Sequence, residues 1–408
     1  MEDAVDMGAS PHELWAMLLI AAVVAMLCRK VRIPYSVGLV ATGLVLAVLP
    51  LHFTFLLTKS FIFHVLLPPL VFEAAFLIDW RPLRRDLPVV LVLATMGVVV
   101  AAAVTAAGMH WLTGWSWSNS TLFGVLIAAT DPVSVIATFK EAGVHGRLRL
   151  LVEAESLFND GVAALLFGIA LAVADGHALT LTGMFTDLAV IVGGGIAVGA
   201  AVAGAVLLIA GRTDDHLVEV TFSTVAAYGS FLVAEHFHLS GVLATLTAGL
   251  IVGNIGSLGA ISDRGRTAVT DFWEYAAFVA NSLVFIMIGI DEARTHFAGA
   301  LWPAFVAVLL VTGSRALTVY PLCAVFTKSQ LRVATAHQHV LFWGGLRGAL
   351  ALALALGLPD SLAHRDAIVT TAFAVVAFSI FVQGLTMTPL LRRLGQMPKS
   401  GTAKLESP

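Results

Sequence analysis

The chain has 408 residues, 59% of them hydrophobic and 12% charged, with a formal net charge of −3 and a mean hydropathy of +0.92. Soluble domains carry roughly 25% charged residues, so this composition excludes a water-soluble surface and leaves lipid as the main solvent. No basic patch interleaved with aromatics points to nucleic acid, and Cys28 and Cys323 sit in apolar runs as packing residues, without metal-ligand spacing.

The acidic start, MEDAVDMGAS, is followed by an apolar run with no small-residue cleavage site, which argues against a removable signal peptide. A helix crossing roughly 30 Å of hydrocarbon needs about 20 residues. Thirteen apolar stretches suit that task, near 12–28, 34–51, 60–79, 88–112, 119–139, 151–174, 180–211, 216–236, 239–257, 268–290, 297–327, 336–358 and 366–391. The fold class they predict is an all-α integral membrane protein of about 13 transmembrane helices. Of the 23 Lys and Arg, eighteen follow odd-numbered spans, in clusters such as Arg29-Lys30-Arg32 and Arg81-Arg84-Arg85. Only Lys59, Arg294 and Arg365 fall on the opposite side. By the positive-inside rule the N-terminus lies outside and the C-terminus inside. The spans divide as six, one linker and six of opposite direction, the inverted-repeat plan of many secondary transporters.

Ionisable groups inside spans cost on the order of 2.5–3.5 kcal/mol each and need a reason. The third span carries Glu73 behind Pro68-Pro69, as a candidate gate or a structural acid. The fifth contains Ala129-Thr130-Asp131-Pro132, where proline disfavours helix at Asp131 and frees nearby carbonyls. The sixth begins Glu153-Ala154-Glu155-Ser156-Leu157-Phe158-Asn159-Asp160-Gly161, whose polar residues fan over roughly 160° of one helix face. That face points at protein or water. Carboxylates, a hydroxyl and freed carbonyls are hard oxygen ligands suited to an alkali cation rather than a transition metal. Glu235, His236 and His238 end the eighth span as interfacial groups. Arg315 and Arg347 are the basic residues within spans, and both read as counter-ions to buried acids. Arg347 lies in Gly344-Gly345-Leu346-Arg347-Gly348, a break in the twelfth span that matches the one in the fifth. Arg347 sits where carbonyl ends attract a cation, and Asp131 where N–H ends attract an anion.

Together these residues resemble the electroneutral branch of the monovalent cation/proton antiporters, the NhaP and NHE transporters. The resemblance covers nearly the whole chain in order: LPPLVFE at 67–73, ATDP at 129–132, EAESLFNDG at 153–161, LSG at 239–241, FVANSLVFIMIGI at 278–290, the Arg315 segment, WGGLRGALAL at 343–352 and FVQGLTMTPL at 381–390. Ala154 departs from the glycine often found there.

The resemblance implies exchange of Na⁺, or alternatively Li⁺ or K⁺, for H⁺, with no cofactor and no enzymatic activity. It implies a cation site of the Asp160 carboxylate, the Ser156 hydroxyl, the Thr130 carbonyl and Glu155, with Asn159 supporting the site and meeting Glu73 as a polar gate. Asp131 and Arg347 would lie where the broken helices cross, and Arg315 would pair with Glu155. Proton and cation would compete for Asp160, and Asn159, which cannot titrate, would keep exchange at one for one. The family's arrangement further implies a homodimer, and a short tail with no obvious targeting segment suggests a prokaryotic inner membrane. Residues 1–87 and 175–296 would form its scaffold, 88–174 and 297–391 the moving transport domain, and 392–408 a short inner tail. Other classes can use the same residues: an intramembrane hydrolase built on Asp131 and Asp160, or a cation channel. The matched broken helices favour alternating access, no HExxH is present, and a non-transporting receptor would have no use for the acids.

Overall fold

The computed structural model describes residues 11–31, 33–49, 59–174, 181–211, 215–256, 261–294 and 300–397. Arg32, Arg212, Lys399, Lys404 and both chain ends lie outside these described residues. Every regular element among them is helical. The chain opens with α1 (Pro11–Val31), α2 (Tyr35–Val48) and a composite helix of α3 (Lys59–Phe61), a π-helical turn (Ile62–Leu66) and α4 (Leu67–Leu77). The wide turn directly precedes Pro68 and Pro69, which cannot donate to the carbonyls before them. Val65 O, deprived of Pro69 as a donor, accepts the Tyr228 hydroxyl at 3.0 Å instead.

Next come α5 (Trp80–Thr113), α6 (Trp117–Leu126), α7 (Val133–Ala142), α8 (Arg147–Ala174), α9 (Leu181–Ala210), α10 (His216–His236), α11 (Gly241–Ile255) and α12 (Asp263–Arg294). The chain continues through α13 (Leu301–Val325), α14 (Thr335–Trp343) and α15 (Ala349–Leu356). It closes with α16 (Arg365–Phe378), a second π-helical turn (Ser379–Gly384) and α17 (Leu385–Arg393). These helices occupy all thirteen apolar stretches, the fifth and twelfth as the broken pairs α6/α7 and α14/α15. Among the described residues, eight helices are long and apolar enough to cross a membrane, with shorter apolar helices at Tyr35–Val48, Ile62–Leu77 and Gly241–Ile255.

Helix starts differ from the sequence reading. Arg81, Arg84 and Arg85, read as loop, form the first turns of α5, which is 34 residues long, or about 51 Å at 1.5 Å per residue. Arg147 and Arg149 likewise open α8, and Arg264 and Arg266 open α12. Hydropathy marks where a helix becomes apolar, while backbone hydrogen bonding continues through charged turns that suit the headgroup layer.

Two groups of helices pack internally. α5 lies along α6, α8 and α13, with α16 on α13; α2 lies along α12, while α4, α9 and α10 lie along α11. The α2–α12 crossing is close because both helices present glycine: a Cβ on Gly43 would stand 2.8 Å from the Gly289 Cα. The groups meet where α4 and α11 touch α8 and where α2 touches α7, next to the broken helices.

Candidate functional site

The two breaks face each other. After α6 the backbone is unwound up to Pro132, and after α14 it is unwound through Gly348. The Asp131 N–H donates to Leu346 O at 2.7 Å, which joins the two unwound segments directly. Each break then satisfies the other's orphan groups. The Arg347 Nη1 donates to Ala128 O and Ala129 O at 2.6 and 2.9 Å, past the C-terminal end of α6. The Asp131 carboxylate accepts the Val133 N–H at 2.9 Å, at the start of α7, and lies against Gly348, just before α15. Arginine at a carbonyl end and aspartate at an N–H end is the arrangement expected from the helix dipoles. Gly348 is required by this approach, since a Cβ there would overlap the Asp131 carboxylate. Ser379, in the second π turn, brackets Arg347: its Oγ accepts the Arg347 N–H at 3.0 Å and shares its proton between the Val376 and Arg347 carbonyls, at 2.9 and 3.1 Å. Sequence reading passed over this serine, because a lone hydroxyl in an apolar run carries no charge or helix-breaking signal.

α8 carries the acids. Glu155 is 2% exposed and pairs with Arg315 through two parallel bonds, Nη1 to Oε1 at 2.7 Å and Nη2 to Oε2 at 2.9 Å. Arg315 also donates from Nε and Nη2 to Leu341 O, at 3.2 and 3.1 Å, in the last turn of α14. The Asn159 amide donates to Glu155 Oε1 at 3.4 Å, so its hydrogen bond goes to Glu155 rather than to the expected gate partner Glu73. Glu153 lies in the second turn of the helix, held by Arg149 at 2.7 Å.

One turn beyond Ser156 stands Asp160. It forms no ion pair among the described residues, and its Oδ1 is buried without a hydrogen-bond partner, as is Asn159 Oδ1. Ser156 donates its hydroxyl to the Thr130 carbonyl and accepts the Thr130 hydroxyl at 3.1 Å. The structure therefore brings Thr130, Ser156 and Asp160 to one place, with Glu155 on the same helix turned to Arg315. A cavity of about 380 Å³ is lined by Asp160, Thr130, Asp131 and Glu73, and also by Lys140 and Glu274. Lys140 and Glu274 form an ion pair at 3.3 Å between α7 and α12 that sequence reading did not anticipate. A second cavity of about 890 Å³ begins along α8 at Ala164, one turn past Asp160, and reaches Asp187 and Glu235. Asp160 thus lines the first cavity and precedes the second by one turn of α8. The candidate ligands gathered here are oxygens: the Asp160 carboxylate, the Ser156 hydroxyl and the Thr130 carbonyl.

Comparison with known proteins identifies the family. A family profile described as "Sodium/hydrogen exchanger, transmembrane" matches residues 18–393. The Na⁺/H⁺ antiporter ApNhaP of Aphanothece halophytica is 38% identical over 368 residues, spanning 89% of this chain and 70% of the relative. The Na⁺/H⁺ antiporter NhaH of Halobacillus dabanensis is 33% identical over 400 residues, spanning 94% and 98%. The solved sodium proton antiporter MjNhaP1 of Methanocaldococcus jannaschii shares the fold, with a TM-score of 0.76 at 19% identity over 94% of this chain and 98% of that one. With its apolar helices, its crossed broken pair and a profile match over most of its length, the chain is an integral membrane protein that belongs to the transmembrane sodium/hydrogen exchanger family.

Proposed function

We propose that this protein is a secondary active antiporter exchanging a monovalent cation, Na⁺ or alternatively Li⁺ or K⁺, for H⁺. The observation that carries the reading is Asp160: a carboxylate with no ion-pair partner and one unpartnered oxygen among the described residues, beside Ser156 and the unwound Thr130 backbone, lining a cavity one turn before a second begins along α8. Relatives such as ApNhaP and NhaH are named Na⁺/H⁺ antiporters, which supports the same chemistry here. Asp160, the Ser156 hydroxyl and the Thr130 carbonyl ligate the cation, and Glu155 contributes from its place beside Arg315. A naked carboxylate in a low-dielectric site is strongly unfavourable. Asp160 therefore carries either a proton or a cation while the site is closed to both sides, and that requirement couples the two fluxes. Asn159 cannot titrate, so one proton exchanges for one monovalent cation.

In the larger arrangement the chain makes thirteen crossings of a prokaryotic plasma membrane, N-terminus outside and C-terminus inside. α5–α8 and α13–α17 move as one unit against a scaffold of α1–α4 and α9–α12, and two copies pair through the scaffold. The 380 Å³ cavity, bordered by Arg29, Lys140 and Arg149, then faces inward.

The test is purified protein in proteoliposomes with a trapped pH dye, challenged in turn with Na⁺, Li⁺ and K⁺. Saturable proton flux driven by one of these cations is expected. Cation flux without proton movement would replace the antiporter with a channel. For the one-for-one ratio, a potential imposed with valinomycin and a K⁺ gradient, with Na⁺ and pH balanced, should drive no Na⁺ uptake in a variant of the test where K⁺ is shown not to be a substrate. Potential-driven uptake would mean that a second proton moves, with Glu73 the first carrier to examine.

A further inference from the structure

Past the end of α6, Thr130 sends its hydroxyl to a side chain on another helix, whereas most helical threonines bond within their own. Thr42, Thr95, Thr113, Thr221 and Thr247 each return their hydroxyl proton to the carbonyl four residues earlier in the same helix. Thr130 donates instead to Ser156 Oγ on α8, at 3.1 Å, while Ser156 donates to the Thr130 carbonyl. The two residues close a ring of two hydrogen bonds, and they are 3% and 2% exposed. A serine hydroxyl has one proton and two lone pairs. Here the proton is committed to the carbonyl and one lone pair to Thr130, which leaves one lone pair with a fixed direction. The Thr130 carbonyl likewise has two lone pairs, and Ser156 takes one of them.

We propose that the side-chain hydroxyl of Thr130 is a positioning residue for the transported cation, holding Ser156 so that the serine oxygen and the Thr130 carbonyl present their remaining lone pairs to one ion. The proposal rests on the reading of Asp160, Ser156 and Thr130 as the cation site. It adds that the threonine acts through its side chain as well as through its backbone. The ring orders both neutral ligands before the ion arrives, so its effect falls on apparent affinity rather than on the speed of the loaded unit. The backbone carbonyl survives any substitution, and the two contributions are therefore separable.

Thr130→Val removes the hydroxyl and keeps both the branched shape and the carbonyl; Thr130→Ser keeps the hydroxyl. In proteoliposomes the valine variant should raise the apparent KM for Na⁺ roughly three- to tenfold, the scale of one lost hydrogen bond, with a maximal rate within about twofold of wild type. The serine variant should restore the wild-type KM. A second readout needs no transport: the Na⁺ concentration giving half of the Na⁺-induced rise in Tm in detergent should shift upward in the valine variant by the same factor. Should the valine variant fail to fold, Thr130→Ala against Thr130→Ser makes the same comparison. A wild-type KM in the valine variant, a loss confined to maximal rate, or a serine variant as impaired as the valine one would each overturn the proposal. Ser156→Ala separates the two levels. If it leaves KM unchanged, the cation-site reading itself fails; if it raises KM while the valine variant does not, only the role of the Thr130 hydroxyl fails.

Discussion

Glu155 and Asp160 stand little more than a turn apart on α8 and have opposite surroundings. Glu155 has a forked arginine and an amide; Asp160 has an oxygen with no hydrogen-bond partner among the described residues. Removing one member of a buried ion pair typically costs about 3–5 kcal/mol, because the other charge stays buried. Arg315→Ala should therefore lower Tm in detergent far more than Arg393→Ala, a substitution at an exposed site. In a double-mutant cycle, Arg315→Ala and Glu155→Gln should be strongly non-additive, and additive losses would show that the pair is not coupled. Asp160→Asn removes no such partner. It should leave Tm within a few degrees while abolishing cation-driven proton flux, and substantial flux in that variant would end the competition mechanism. Both acids stand out in the sequence, since a carboxylate in an apolar run is expensive. The pairing of Glu155 was less legible from the residues alone: Arg315 lies 160 positions away, and only the family resemblance singled it out from Arg347. Ser379, with neither charge nor a break to mark it, stayed hidden.

At the scale of elements, the broken helices share their caps. Arg347 serves the carbonyl end of α6 and Arg315 that of α14, while Asp131 serves the N–H end of α7 and packs against Gly348 at the start of α15. Such caps are worth about 0.5–2 kcal/mol each, and the crossing depends on all of them meeting at one point. Gly348 tests this. A methyl group there overlaps the Asp131 carboxylate, whereas Gly313 on α13 has nothing within 4 Å of its Cβ position. Gly348→Ala should displace Asp131, lower Tm and cut exchange by an order of magnitude or more. Gly313→Ala should be neutral or stabilising by up to about 1 kcal/mol, the ordinary helix gain. Equal behaviour of the two variants would show that the close approach does not matter. The breaks themselves were readable, because Pro132 and the glycines around Arg347 interrupt apolar runs at matching places. The start of α5 was not, because its first turns bear Arg81, Arg84 and Arg85, and charge hides a helix that hydropathy alone is used to find.

For the whole molecule, the question is whether the group of helices holding Asp160 moves against the rest. Lys140 on α7 and Glu274 on α12 join the two groups beside the 380 Å³ cavity, with both side chains 48% exposed. An exposed pair of this kind is worth no more than about 1 kcal/mol and is screened by salt. It can bias the two groups toward this arrangement but cannot lock them. A covalent link at the same place can. With Lys140→Cys and Glu274→Cys combined, a reducible bis-methanethiosulfonate linker should join α7 to α12 while the buried Cys28 and Cys323 stay out of reach. If alternating access requires these groups to slide past each other, the linked protein should lose cation-driven proton flux, and reductant should restore it. Each single-cysteine variant, treated identically, should keep its flux. Intact mass measured on the same proteoliposome sample establishes how much protein is linked. Full exchange by fully linked protein would mean that α7 and α12 keep their spacing through the cycle, and the moving unit would then have to be drawn without α7.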